Sequence, residues 1–432
     1  MRTRILLASL ASAVLLLSGC TAQEPPAKAE VLHVPADFAT ISDAVDDATP
    51  GDVILVAPGT YKESVIVDVE DVTVRGESRN DTIIDGEGIR PYGVVGIADG
   101  TRVENLTTHS HLYYGVLITG VHTKDGPEAR GATGYTPFDP EEFPPLQRFS
   151  VDHVTAYNNG LYGIYAFNSQ QGSITDSYTS GSADSGIYVG QCRDCGTLVS
   201  GNVAERNAIG FENANASDSV VLTGNRFSAN RVGMTVISNY QEAFTPQRGN
   251  LIAGNVIADN NSDSSPSHAE GAFGVGIGVE GGQDNVFASN LVTGHTVAGF
   301  VLSNTEDLPA SGNRIERSSF AENAVDVANT SSEISPATGN CATDTALQSI
   351  TPPELQLSDC ADTLAQAAGT LPAPNVPPGV SFLQIAPPSA QPDMDAPLDA
   401  LPEPLPTVLE MPDVTGLAVP PADLLIELTS DK

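Results

Sequence analysis

Bases are scarce in this chain: 19 Lys and Arg stand against 54 Asp and Glu, a formal charge of −35. No basic patch offsets that charge, so nucleic acid is excluded as a partner, and polyanionic glycans are repelled unless a cation such as calcium bridges them. Metal ions and cationic ligands suit the charge better; its plainest consequence is solubility. Motifs of common chemistry are also missing. There is no HExxH, no phosphate loop, no GxGxxG after a strand and no Ser-His-Asp order, so neither a cofactor nor a metal centre is expected.

Long apolar runs are missing too. The longest, ILLASLASAVLLL at 5 to 17, follows Arg2 and Arg4 and is too short for a comfortable membrane span, so it reads as an export signal. It ends in Leu17-Ser18-Gly19-Cys20, which resembles the bacterial lipobox, where cleavage precedes a cysteine that is then lipidated. Residues 1–19 are therefore expected to be a lipoprotein signal, Cys20 the lipidated N-terminus, and 20–30 a tether at the outer face of the cell membrane or in the periplasm. The other reading is an ordinary cleaved signal with an incidental cysteine. Export permits disulfides, and Cys341 with Cys360 closes a loop suited to one. Cys192 and Cys195 form a lone CxxC, open to a corner disulfide, a redox pair or half a metal site.

What the chain has in abundance is a repeat. Small polar residues recur five apart, at Ser177 and Ser182, Asn202 and Asn207, Asn225 and Asn230, Asn255 and Asn260, Asn290 and His295, Ser318 and Asn323, and at the earlier pairs Asn105 with Ser110 and His153 with Asn158. Most pairs precede a Gly and a short apolar run such as GIYA, GIYV, GFEN or GMTV. A period in the twenties with short alternating strands and turn residues at each corner is that of a β-solenoid. Equivalent residues then stack in columns roughly 4.8 Å apart, and corner Asn amides bond to the Asn of the next coil. His153 and His295 are expected to substitute for Asn in these columns.

Regular repeats run to about 332, giving a solenoid over 31–332 with an amphipathic helix near Thr40 and Asp43 as its N-terminal cap. Three long interruptions, about 120 to 148, 238 to 249 and 304 to 312, follow the same strand and emerge from one corner; a fourth, 261 to 272, leaves from another. Residues 333–432 form an acidic, Pro-rich extension, expected to be extended or disordered beyond the Cys341 to Cys360 loop, the other reading being that apolar patches such as VSFLQI pack along the solenoid.

The cap, the Asn corners and the runs DSGIYVGQCRDCGTLVSGNVAERNAIGFENANASD and GVGIGVEGGQDNVFASN resemble the right-handed parallel β-helix superfamily, which includes pectate lyases, and within it a group of exported, often lipidated repeat proteins. The resemblance covers about 31 to 332. It implies an all-β right-handed parallel β-helix and no activity, because lyases, hydrolases, epimerases, adhesins and a copper-site maturation factor share that fold. The pectate-lyase pattern of calcium-binding aspartates with a catalytic Arg or Lys does not map onto this sequence.

Alternation puts Tyr165, Tyr188 and Glu212 on the outside of successive coils. They are expected to form an exposed sugar-stacking face, the other reading being aromatic stacking that only stabilises the sheet. Candidate catalytic groups on the same coils are Asp152, Asp176, Asp184, Glu205, Glu212, Arg193 and Arg206. Two functions stand side by side: a monomeric, lipid-anchored binder of a polysaccharide or envelope protein, and a polysaccharide lyase, epimerase or hydrolase working in a loop-walled groove.

Overall fold

A computed structural model describes residues 28–123, 126–127, 138–269, 271–358, 360–361 and 363–430. The export signal, Cys20, most of the tether and part of the 120 to 148 loop lie outside the described residues. The chain winds into a right-handed parallel β-helix of three parallel sheets, with 12, 10 and 11 strands, visited in that order on each coil. One coil shows the pattern: Thr197–Ser200 in sheet one, Val203–Glu205 in sheet two and Ile209–Ala216 in sheet three. Each strand pairs in register with its equivalent on the next coil, Val199 with Leu222, Ala204 with Phe227 and Phe211 with Met234. Short strands rich in Val and Ile suit this, because every second residue fills the interior and every backbone group bonds along the axis.

The helix Ile41–Asp47 closes the first coil. The Thr40 side chain accepts the Asp43 N–H at 3.0 Å, and Ile41, Ala44 and Val45 are buried against the stack. At the far end the stack runs beyond 332: Cys341–Thr343 pairs with Arg314–Glu316, and Ile350–Thr351 with Val327–Asn329. Cys341 and Cys360 are joined by a disulfide, as are Cys192 and Cys195.

The corners are held by amide ladders. Between sheets one and two, Asn202 donates to Asn225, Asn225 to Asn255 and Asn255 to Asn290, at 2.9 to 3.0 Å. Each side-chain oxygen also accepts the backbone N–H of its neighbour, as Asn225 does from Asn202 at 3.0 Å. Between sheets two and three, Asn207, Asn230 and Asn260 repeat the device and pass it to His295. His295 Nε2 accepts from Asn260 at 3.1 Å, so its Nδ1 carries the proton and donates to Asn323 at 2.8 Å. Burial lowers its pKa to about 4, against the opposing bond to Asn323, keeping the ring neutral as the ladder requires.

Two details differ from the sequence expectation. Asn105, Ser110, His153 and Asn158 are not ladder members; each has left-handed backbone, φ 52 to 59°, one residue before the ladder position. On those coils the second ladder is carried by His111 and Asn159, the His111 N–H donating to Asn159 at 3.1 Å. His153 is thereby released from a structural role in the column. A third ladder, Asn250, Asn285, Asn313 and Asn340, holds the corner between sheets three and one, and Gln366 of the extension caps it at 2.8 Å.

The extension is extended, and it lies against the solenoid. It runs back from Gln366 to the first coils, turns over sheet one near Leu398, climbs to Leu417 and folds again over sheet two to Ser430. Proline lacks an N–H, so this segment cannot join a sheet; it presents carbonyls that need donors. Buried arginines supply them. Arg231 donates to Pro377 and Pro378, Arg79 to Pro392, Arg75 to Leu398 and Ala400, and Arg226 to Ala422, at 2.8 to 3.1 Å.

Asn225→Leu removes the two bonds its amide donates and the acceptor of both the Asn202 N–H and the Asn202 side-chain amide, and the expected cost is about 1–3 kcal/mol, read as a lower urea midpoint. An unchanged midpoint contradicts a structural role for the ladder.

Candidate functional site

Strand register places Tyr165, Tyr188, Glu212 and Thr235 in one outward row of sheet three. The expected exposed platform is not there. Tyr165 is 4% exposed, Tyr188 1% and Glu212 8%. They belong to a second apolar layer outside the barrel, in which Tyr92, Tyr114 and Tyr162 stack at centroid distances of 5.7 and 5.8 Å and Phe138 and Phe143 pack from the long loop. The Tyr188 hydroxyl donates to Glu242, at 3.2 Å, on the 238 to 249 loop. Alternation fixes which side of a sheet a residue faces, and loops decide whether that side meets water.

Glu212 accepts a short hydrogen bond from the Ser185 hydroxyl, whose oxygen also lies 3.3 Å from Asp184; His268, from the 261 to 272 loop, pairs with Asp184 at 3.4 Å. Burial and the Asp184 charge push the Glu212 carboxyl well above its ordinary 4.5. The neutral form of the carboxyl is favoured there.

The other candidates disperse. Glu205 is occupied by the Tyr178 hydroxyl at 2.6 Å and the Ser430 N–H at 2.7 Å. Arg193 lies over the Phe244 ring at 5.9 Å. Arg206 reaches a groove of about 740 Å³ between the 261 to 272 loop and the extension, which Asp259, Asn261, Asp263, Gln384 and Ile385 also line. Burial raises the Asp259 carboxyl, with Arg226 opposing and Glu322 assisting. The sequence places a loop at that corner and an apolar patch, VSFLQI, able to pack on the solenoid, but does not bring the two together as facing walls.

Asp152 and Asp176 come together with His153 at the corner between sheets one and two, their ligand atoms within 4.8 Å of one another. His153 Nδ1 lies 3.0 Å from Asp152 Oδ1, which also accepts Thr175 at 2.8 Å. Burial works to raise the Asp152 carboxyl, but the bonds from His153 and Thr175 and the charges of His153 and Arg79 outweigh it and hold the carboxyl low. Arg79, 1% exposed, spends its N–H groups on Thr155, Val154 and Pro392.

A family profile described as periplasmic copper-binding protein (NosD) matches residues 48–273, more than half of the chain. The chain belongs to the NosD family. That description is of periplasmic proteins, in keeping with the export read from residues 1–19. Among solved structures, the chain is similar to the A-module of mannuronan C-5 epimerase AlgE4 from Azotobacter vinelandii, 16% identical, TM-score 0.44, covering 75% of this chain and 93% of that one. It is also similar to pectate lyase Pel9A, 12% identical, TM-score 0.41, covering 80% and 82%, and to the periplasmic alginate epimerase AlgG, 12% identical, TM-score 0.38, covering 75% and 81%. No curated protein matches.

The NosD family's metal can be tested against the donors at hand. Cu(I) asks for thiolate or thioether. Among the described residues all four cysteines are in disulfides and Met234 is buried in the core, while Met394 and Met411 stand apart on the extension, the one bonded to Asn105 and the other packed beside Val221 and Ala253. Cu(II) takes imidazole and carboxylate, and the Asp152, His153 and Asp176 set fits that demand.

Because folded Glu212 keeps its proton where the unfolded carboxyl has lost it, the folded state binds more protons above about pH 4.5, and stability falls as pH rises from there. Glu212→Gln removes that loss. Its urea midpoint is expected to equal wild type near pH 4 and to exceed it once the pH rises above the ordinary carboxyl range; a pH-independent difference contradicts the raised carboxyl pKa.

Proposed function

We propose that the protein is an exported binding protein, held at the envelope by lipid on Cys20, that takes a neutral polyhydroxylated glycan into the groove between the 261 to 272 loop and the extension. The observation that carries this reading is the groove itself: Arg206, Asp259 and Asp263 converge there among amide and hydroxyl groups, the donor and acceptor mixture that sugar hydroxyls need. Carboxylates accept pairs of hydroxyls, and a guanidinium supplies donors in a fixed plane. Two aspartates in the groove and a formal charge of −35 disfavour a polyuronate. The covered tyrosine row takes no part.

A second reading concerns metal. The NosD family's description, and the presence of imidazole beside carboxylate donors on this chain, support copper binding. A bound Cu(II) would supply a Lewis-acidic, redox-capable centre at the surface.

Replacing Cys20 by Ser is expected to move the protein from the membrane fraction to the soluble one; retention in the membrane places the anchor elsewhere. The soluble form then serves for glycan-array binding with product analysis. Asp259→Asn, Asp263→Asn is expected to weaken binding to neutral glycans by about tenfold or more with the glycan recovered intact. Equal binding by both proteins removes the groove as the site, and shortened or unsaturated products establish a lyase or hydrolase instead.

A further inference from the structure

Asp152 and His153 end one strand of sheet one, and Asp176 sits at the same corner on the following coil. Parallel register pairs Asp152 with Thr175, so His153 and Asp176 occupy equivalent positions a single rung apart, both with left-handed backbone, φ 52° and 46°. The positions above them are Gly201 and Gly224, which leave the outer side of the corner clear of side chains. We infer that Asp152, His153 and Asp176 form a binding site for a divalent cation of the imidazole-accepting class, an assignment that rests on the copper reading above and gives it an address.

The distances support the assignment. Ligands about 2.0 to 2.2 Å from a metal stand roughly 2.8 to 3.1 Å apart when adjacent and at most about 4.4 Å apart when opposite. His153 Nδ1 and Asp152 Oδ1, 3.0 Å apart, already form such an adjacent edge, now bridged by a proton that the metal would replace. All the ligand atoms of the set, Asp176 included, lie within 4.8 Å of one another, close to the span of opposite ligands. The Asp176 side chain is exposed. Thr175 donates to Asp152 at 2.8 Å and orients that carboxylate, the support a ligating group needs from its surroundings.

Charge and donor type set the cation. Asp152 and Asp176 share one neighbouring cation, Arg79, which also faces Asp393, so carboxylates outnumber fixed cations at this corner. Arg79 does not compete for the ligand atoms, because its N–H groups are spent on neutral oxygens of Thr155, Val154 and Pro392. Calcium and magnesium prefer shells of oxygen alone, so an imidazole in the set favours Cu(II) or Zn(II) over either.

Full-length protein titrated with Cu(II) in a non-chelating buffer, followed by calorimetry and electron paramagnetic resonance, tests this. Wild type is expected to take one equivalent with coupling to one imidazole nitrogen. His153→Ala and Asp176→Asn should each raise the dissociation constant, the first by about tenfold or more and with loss of the nitrogen coupling, while His33→Ala, at an exposed site on the first coil, changes nothing. Zn(II) should displace the copper. If wild type takes its equivalent and both corner variants match it, the address is wrong and the copper reading stands. If wild type takes up no stoichiometric copper, both fall. Should His153→Ala lower the urea midpoint, the exposed Asp176→Asn decides alone.

Discussion

A solenoid turns three times per coil, and each turn breaks the run of backbone bonds along the axis. The rest of the molecule depends on how those breaks are filled. Asn does it because one side chain carries both an acceptor for the next backbone N–H and a donor for the carbonyl or amide beyond. Asn225 shows the full set: its oxygen accepts from Asn202, and its amide donates to Val199 and Asn255. Because every ladder residue serves two coils, the corners stack rigidly, and residues just outside them keep fixed spacings from coil to coil. That rigidity brings His153 and Asp176 to equivalent positions one rung apart.

The second constraint is the outer surface. Sheet faces that are apolar outside as well as inside must be covered, and this chain covers them with its own loops and its Pro-rich extension. Few bases are available, and four buried arginines, Arg75, Arg79, Arg226 and Arg231, are committed to the carbonyls of that extension. Burial lowers the Arg79 pKa to about 10, which still leaves it charged at neutral pH. Access to ligands is thereby shifted from the sheet faces to the corners, where the groove beside Asp259 and the Asp152 to Asp176 cluster lie.

Fold and register were legible because a solenoid writes its period into the chain. Five-residue spacing located two of the three ladders, and the same spacing taken one step earlier reaches the third: Asn250, Asn255 and Asn260, then Asn285, Asn290 and His295. On the early coils the offset also matched Asn105 with Ser110 and His153 with Asn158, a false match one residue out of register, since left-handed corner residues favour the same small polar side chains. The candidate sites were less legible. Tyr165 and Tyr188 face outward as alternation requires, but nothing in their strand records the loops that bury them. The extension has no period at all, so the apolar character of VSFLQI suggested packing on the solenoid but not where it packs. His153 was hidden by its resemblance to a ladder residue.

In this molecule the sheet faces are closed and the corners are open. Carboxyl footprinting of the native protein, read residue by residue, tests it most directly. Asp176, Asp259 and Asp263 should be labelled rapidly, whereas Glu205 and Glu212 should stay unlabelled until denaturant opens the fold. Labelling of Glu212 under native conditions as fast as that of Asp259 would show an open face on sheet three and contradict the account.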